Sequence, residues 1–230
     1  MNWQARRVAA RGRVAGKYDA AEAQAYAMVQ GLGWLAPAEE DAYLDDLRRV
    51  VRFPPGSRVL DAGAGTGVMC SLLRRLPSLE LTALEPSPAM LAVLRAKPEL
   101  ATVTTVAGYC DEPGDADRFA AAQFDVIVSR QLVNGLFDPL LAFRHWYRWL
   151  QPGGAVVVID GLYGRDGWTG RWEDEVDVLP LAATQSTATI PYLLEACGFE
   201  VAAVERMAAV NALPVTRTAR YVVVARKPVP

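Results

Sequence analysis

Histidine is almost missing from this sequence: His145 is the one copy in 230 residues. Any mechanism built on a histidine dyad or a histidine-rich metal centre is thereby excluded. Cysteine is scarce as well. Cys70, Cys110 and Cys197 stand far apart, with no C-x-x-C pair and no histidine at metal-ligand spacing. That argues against a zinc site or a disulfide framework, and for reduced thiols in a cytosolic setting. Excess positive charge is absent: 24 Lys and Arg face 26 Asp and Glu, a formal net charge of −2. A protein that grips nucleic acid through its phosphates would be basic, so that class is set aside. Long apolar runs are absent too. The best, residues 155–159 and 221–225, fall well short of the ~20 needed to span a bilayer. What is there, 52% hydrophobic and 22% charged residues, suits a soluble globular domain with a packed core and a small appendage.

The first stretch carries Arg6, Arg7, Arg11, Arg13 and Lys17 without an acid. A transit peptide would add serine; Gly12 and Gly16 stand here instead, so the segment reads as an exposed basic helix or arm. Helical patterns over 20–30 and 37–51 complete an N-terminal helical cap, residues 1–55. From residue 56 onward short β-branched runs alternate with helices. Strands are expected at 57–62, 79–84, 101–107, 124–129 and 155–160, with helices at 68–76, 88–96 and 138–150. Such alternation predicts an α/β fold, a parallel sheet covered by helices on both faces. A helix at 190–196 and strands at 200–206 and 220–226 close the chain. Segment 161–186, rich in Trp, Gly and acids, is longer than ordinary connections and reads as a lid insertion.

The decisive stretch is Val59-Leu60-Asp61-Ala62-Gly63-Ala64-Gly65-Thr66-Gly67. It leaves a strand and enters a helix, where glycines permit a tight turn and let a ligand lie against the backbone. Glu85 lies 18 residues after Gly67, at the end of the next strand, where a carboxylate can accept hydrogen bonds from both hydroxyls of a ribose. A dinucleotide fold would show G-x-G-x-x-G, whereas this loop is G-x-G-x-G followed by Val68. Asp61 before the glycines repels an anion and attracts an ammonium.

DAGAGTG with Glu85, FDVIVSR at 124–130 and WLQPGGAVVVIDG at 149–161 resemble the motifs of class I S-adenosylmethionine-dependent methyltransferases. The resemblance is good over 57–160 and loose over 187–227. It implies a Rossmann-like seven-stranded, mostly parallel sheet with the last strand antiparallel. It also implies S-adenosylmethionine as cofactor, with Asp61, Gly63 and Gly65 on the methionine and ribose side and Glu85-Pro86 at the ribose. Where the family shows Gly-Asp after the third strand, this chain reads Gly108-Tyr109-Cys110-Asp111. Either Asp111 serves the adenine in a shifted register, or Cys110 and backbone groups frame it. Tyr18-Asp19 resembles the Tyr-Asp that opens many of these domains and reaches back over the cofactor.

Arg130, Gln131 and Asn134 follow the fourth strand, at the rim where α/β sheets bind ligands. The resemblance puts them beside the methionine moiety and the acceptor. In the insertion, Tyr163, Trp168 and Trp172 offer aromatic faces to a sulfonium cation, a contact of ~0.5–2 kcal/mol. Tyr163 and Trp172 join the catalytic candidates; the acids Glu173, Asp174, Glu175 and Asp177 read as a solvated face. His145 is expected on the outer face of its helix with Arg144 and Arg148, while Trp146 and Trp149 pack inward. No metal is implied. The expected activity is methyl transfer to a small molecule, in biosynthesis of a specialised metabolite. The alternative is cyclisation of S-adenosylmethionine itself to azetidine-2-carboxylate and methylthioadenosine, since the SRQ…N…DGL pattern is similar to enzymes that do so. A non-catalytic cofactor-binding module is the third reading. No nucleic-acid or membrane partner is expected.

Overall fold

Five strands run parallel: β1 (Arg58–Ala62), β2 (Glu80–Glu85), β3 (Thr104–Ala107), β4 (Phe124–Arg130) and β5 (Leu150–Gly161). β6 (Glu200–Arg206) and β7 (Arg220–Arg226) complete a seven-stranded sheet of order β3-β2-β1-β4-β5-β7-β6, with β7 antiparallel to both its neighbours. The computed structural model describes residues 2–15, 18–169, 173 and 175–230. Among them, no helix is long and apolar enough to cross a membrane.

Alternation along each strand sends neighbouring side chains to opposite faces. Val59, Val126, Val128 and Val224 face one layer, which holds α3 (Pro37–Val50), α4 (Val68–Leu73) and α8 (Ala208–Asn211). Leu60, Ile127, Val158 and Val223 face the other, which holds α6 (Pro139–Trp149) and α7 (Thr189–Glu195). Each such side chain, fully buried, contributes roughly 1.5–3 kcal/mol. Helix starts follow local chemistry. α2 (Ala20–Ala27) opens on Asp19 in a capping box with Glu22. α5 (Pro88–Arg95) opens on Ser87, and α6 on Asp138; each has proline at the start of the helix.

The expected elements form with shifted ends. β3 starts at Thr104 because Pro98–Leu100 is a short 3-10 turn. β5 reaches back to Leu150, with a register shift between Phe124 and Val126 on β4. α1 (Trp3–Ala15) is helical as expected, yet it is not a free arm. Ala10 is buried among Phe137, Val176, Val178, Leu179 and Ala182. Arg11 pairs with Asp111 at 2.9 Å and Glu112 at 3.0 Å, and Arg7 donates to the Phe137 carbonyl. Lys17 and Gly16 lie outside the described residues.

His145 corrects the outward placement. It is 5% exposed, stacks on Trp149 and sets Nδ1 2.9 Å from the Cys110 carbonyl oxygen. The cause is a second neighbour: besides the sheet, α6 meets the 3-10 turn Pro113–Asp117, where Trp149 Nε1 donates to the Ala116 carbonyl. The helix therefore buries a wider arc than a single apolar stripe predicts. Trp146 and Trp149 are buried, as expected.

Candidate active site

The strand order reverses between β1 and β4, and the crevice outside their carboxyl ends is where open α/β sheets take ligands. β1 delivers Asp61 there, β2 delivers Glu85, and β4 delivers Arg130. The turn after β1 is pinned by Gly63 and Ala64, whose N–H groups donate to the Leu84 carbonyl at 2.9 and 3.0 Å. Gly63 and Gly65 both have positive φ, 71° and 55°. A Cβ on Gly63 would strike Leu132 at 2.7 Å, whereas a Cβ on Gly65 would meet nothing within 4 Å. Gly65 thus serves conformation, and its open side is available to a ligand.

Asp61 is buried, and its Oδ2 accepts from Cys70 Sγ at 3.2 Å while Oδ1 has no hydrogen-bond partner. Burial pushes its carboxyl up to about 7, against the opposing Cys70 bond. A buried oxygen left unpaired is uncommon and marks a position where a donor belongs. The Glu85 carboxylate accepts from Gly65 N at 3.0 Å and Ser87 N at 2.9 Å. Burial pushes it up and those two bonds pull it down. Both oxygens keep acceptor capacity for further donors. Pro86, half-buried, stands between Glu85 and Ser87.

Arg130 borders the same small cavity of about 40 Å³ as Asp61, Gly63 and Gly65. Its guanidinium lies over the Tyr43 ring at 5.2 Å, bonds the Tyr43 hydroxyl at 3.3 Å and donates to the Gly31 carbonyl. Residues 31–33 close the glycine loop from above, with Thr66 Oγ1 donating to the Gly33 carbonyl at 3.4 Å. Gln131 holds a left-handed φ of 57°, a strained conformation of the kind that gathers at functional sites. Asn134 donates its backbone N–H to Asp160 Oδ2 at 3.1 Å. Tyr163 bonds Arg220 through its hydroxyl, and burial pushes that hydroxyl up to about 12.

The remaining candidates lie apart from this cluster or face other tasks. Tyr18 packs edge-on against Tyr26, 5.9 Å away, in a cluster with Met90 and Val93 of α5. Cys110 is buried, its thiol pushed up by burial. The Asp111 oxygens are taken by Arg11, Phe137 N and Asp138 N. Trp168 reaches within 6.4 Å of Tyr163 and donates Nε1 to the Ala182 carbonyl. Glu175 is buried, and Asp177 pairs with Arg165 at 2.5 Å. Trp172, with Gly170 and Asp174, lies outside the described residues.

Four residues at this rim escaped the sequence reading. Tyr26 comes from α2 and Tyr43 from α3. Asp160 is buried and pushed up to about 6 by that burial, while accepting from Gly161 and Asn134 N–H groups. Arg220 opens β7, opposite Gly161 in register. An antiparallel strand begins at the rim where its parallel neighbours end, and that signal would have flagged Arg220.

The fold and rim define a Rossmann-like, ligand-binding α/β protein. A methyltransferase domain family profile matches residues 38–204, and the chain belongs to that family, within the class I S-adenosylmethionine-dependent methyltransferase superfamily. Malonyl-[acyl-carrier protein] O-methyltransferase of Herminiimonas arsenicoxydans is 32% identical over 151 residues, covering 64% of this chain and 54% of that protein. Demethylmenaquinone methyltransferase of Chlorobaculum tepidum is 26% identical over 47% of this chain and 43% of that protein. The matches therefore span about half the length of these curated relatives. Haemonchus contortus phosphoethanolamine N-methyltransferase 2, solved with phosphomonomethylethanolamine and S-adenosylhomocysteine, shares the fold at TM-score 0.68 and 20% identity, covering 93% of this chain and 58% of that one.

Proposed function

We propose that this protein transfers a methyl group from S-adenosylmethionine to a small-molecule acceptor. The observation that carries the reading is the partnerless Asp61 Oδ1, buried beside a glycine turn whose Gly65 leaves its outer side open. The residues fit the cofactor. S-adenosylmethionine supplies, when bound, an electrophilic methyl that already carries its leaving group. The chain's own work is to hold and orient. Asp61 takes the ammonium, Glu85 accepts from the ribose hydroxyls, and Arg130 faces the carboxylate end. Pro86 and Cys110, with the backbone beside them, frame the adenine, because Asp111 is spent on Arg11 and two N–H groups. Tyr18 braces α5, the helix that follows Glu85.

Asn134, Gln131 and Tyr163 line the acceptor side. Holding an acceptor in line with the reacting bond can account for roughly 7–11 kcal/mol of barrier, so a catalytic dyad is not required. An amine or carbon acceptor needs little base, and a hydroxyl needs more. The demethylmenaquinone and phosphoethanolamine named for two relatives support a small acceptor.

The test is to incubate the protein with S-adenosylmethionine, alone and with acceptor panels, and identify the nucleoside by mass spectrometry. S-adenosylhomocysteine appearing only with an acceptor supports transfer. Methylthioadenosine released together with azetidine-2-carboxylate and without an acceptor, faster than in a protein-free control, would instead support attack of the cofactor's amino group on its own γ-carbon.

A further inference from the structure

Arg220 is a charge that the cofactor reading leaves over. Among the described residues no carboxylate forms an ion pair with it or with Arg130. Asp160, close enough for its carboxyl to feel Arg220, spends its oxygens on the N–H groups of Asn134 and Gly161. The guanidinium is nonetheless held with care. It lies 5.4 Å over the Tyr163 ring and donates to that residue's hydroxyl. With its amide turned to present oxygen, Gln131 accepts from Arg220 Nη2 at 2.5 Å and Nη1 at 3.3 Å.

Two further features show that this arrangement is built. A Cβ on Gly161 would meet Arg220 Nη1 at 2.4 Å and the Tyr163 ring at 2.8 Å, so the glycine is what lets the pair cross the rim. Gln131 meets Arg220 from a left-handed φ of 57°, a strained conformation for a side-chain-bearing residue. The place is the active-site rim, since Tyr26 lies within the electrostatic reach of Glu85, Arg130 and Arg220 together.

Two guanidiniums on one rim exceed what a single ligand carboxylate requires. Arg130 shares its cavity wall with Asp61 and the glycine turn, which places it at the cofactor. Arg220 does not line that cavity; its contacts are the acceptor candidates Gln131 and Tyr163. Resting on the methyl-transfer reading above, we propose that Arg220, steadied by Tyr163 and Gln131, receives an anionic oxygen group of the acceptor, a carboxylate or a phosphate. A planar fork suits both geometries, and in a site that also takes a sulfonium cation an anionic partner lowers the total charge to be buried. The acceptor therefore has two ends: the anion docks on Arg220 and the nucleophile reaches the methyl.

The experiment uses the full chain loaded with S-adenosylhomocysteine and titrates benzoate, benzamide and inorganic phosphate by calorimetry. Wild type should bind benzoate or phosphate and discriminate against neutral benzamide; which anion binds better separates carboxylate from phosphate acceptors. Arg220→Met should lose at least tenfold in anion affinity, with S-adenosylhomocysteine affinity kept within twofold. Its backbone stays anchored, because Asn211 bonds both the N–H and the carbonyl of residue 220. Arg220→Lys should fall between the two. Anion binding unchanged in Arg220→Met, or no arginine-dependent anion binding at all, would overturn the assignment. So would loss of S-adenosylhomocysteine affinity in Arg220→Met, which would give the arginine to the cofactor. A wild-type chain that binds no S-adenosylhomocysteine would refute the methyl-transfer reading itself, and this one with it.

Discussion

Cofactor binding should fall off on the acid side of neutrality, with that acid limb set by Asp61. In the free protein burial holds this carboxyl at about 7, so below neutrality it carries a proton where the ligand's ammonium needs a charge. Binding ionises it, and the proton is released. Each pH unit below that value then costs about a factor of ten, or about 1.4 kcal/mol, until the lower bound-state value is reached. At pH 5.5, roughly a unit and a half below, affinity should drop ~30-fold, a loss of about 2 kcal/mol. The alkaline limb belongs to the ligand, whose ammonium sits beside its own carboxylate and so loses its proton above the range of about 7.7–8.0 found for a chain N-terminus. The maximum therefore falls between the two. Calorimetry of S-adenosylhomocysteine from pH 5.5 to 8.5, in two buffers of different ionisation enthalpy, reads both the affinity and the proton release. Asp61→Asn should bind more weakly at its best and lose the acid limb. Asp160→Asn is the control, because Asp160 titrates at about 6 and its removal should leave the limb near 7 in place. Equal wild-type affinity at pH 5.5 and 7.2, or an acid limb that survives in Asp61→Asn, would refute the reasoning.

Glu85→Ala should weaken cofactor binding by 10- to 100-fold by calorimetry, because hydrogen bonds to a charged acceptor are worth ~1.5–3 kcal/mol; wild-type affinity in the folded variant would remove Glu85 from the site. Gly65→Val should lose cofactor binding and also stability, since φ is 55° and a non-glycine residue there costs roughly 1–2 kcal/mol. His145→Ala should destabilise the fold by roughly 1–3 kcal/mol in urea, through loss of the Cys110 contact and the stack on Trp149; an unchanged midpoint would contradict its burial. Hydrogen exchange over 161–169 and 175–186 should slow when S-adenosylhomocysteine is added, and Tyr163→Ala should cut turnover more than stability.

Most of the sheet was legible because its strands are continuous apolar runs with hard stops. Asp19, Ser87 and Asp138 announce their helices through side chains that reach only three residues along the chain. The glycine turn and Glu85 were legible for the same reason: strand, turn and acid follow one another in order. His145 was not, because its burial comes from a 3-10 turn some thirty residues earlier that no period within α6 encodes. Arg11 and Asp111 are 100 residues apart, so the docking of α1 and the engagement of Asp111 are visible only once folded. Arg220, Asp160, Tyr26 and Tyr43 meet through topology alone. Each is locally an ordinary strand or helix residue.

The strap over the glycine loop has a consequence for how the chain is made. Its bonds join Gly33 to Thr66, Gly31 to Arg130 and Tyr43 to Arg130, across 33, 99 and 87 residues of sequence. The first waits for the turn after β1 and the other two for β4, so this segment, translated before the sheet, settles only after it. Met28, Val29 and Trp34, exposed even in the finished fold, are uncovered apolar groups on that waiting segment. Domains commonly assemble from their N-terminal end during synthesis; here the central sheet must be translated before the opening helices have anything to close upon.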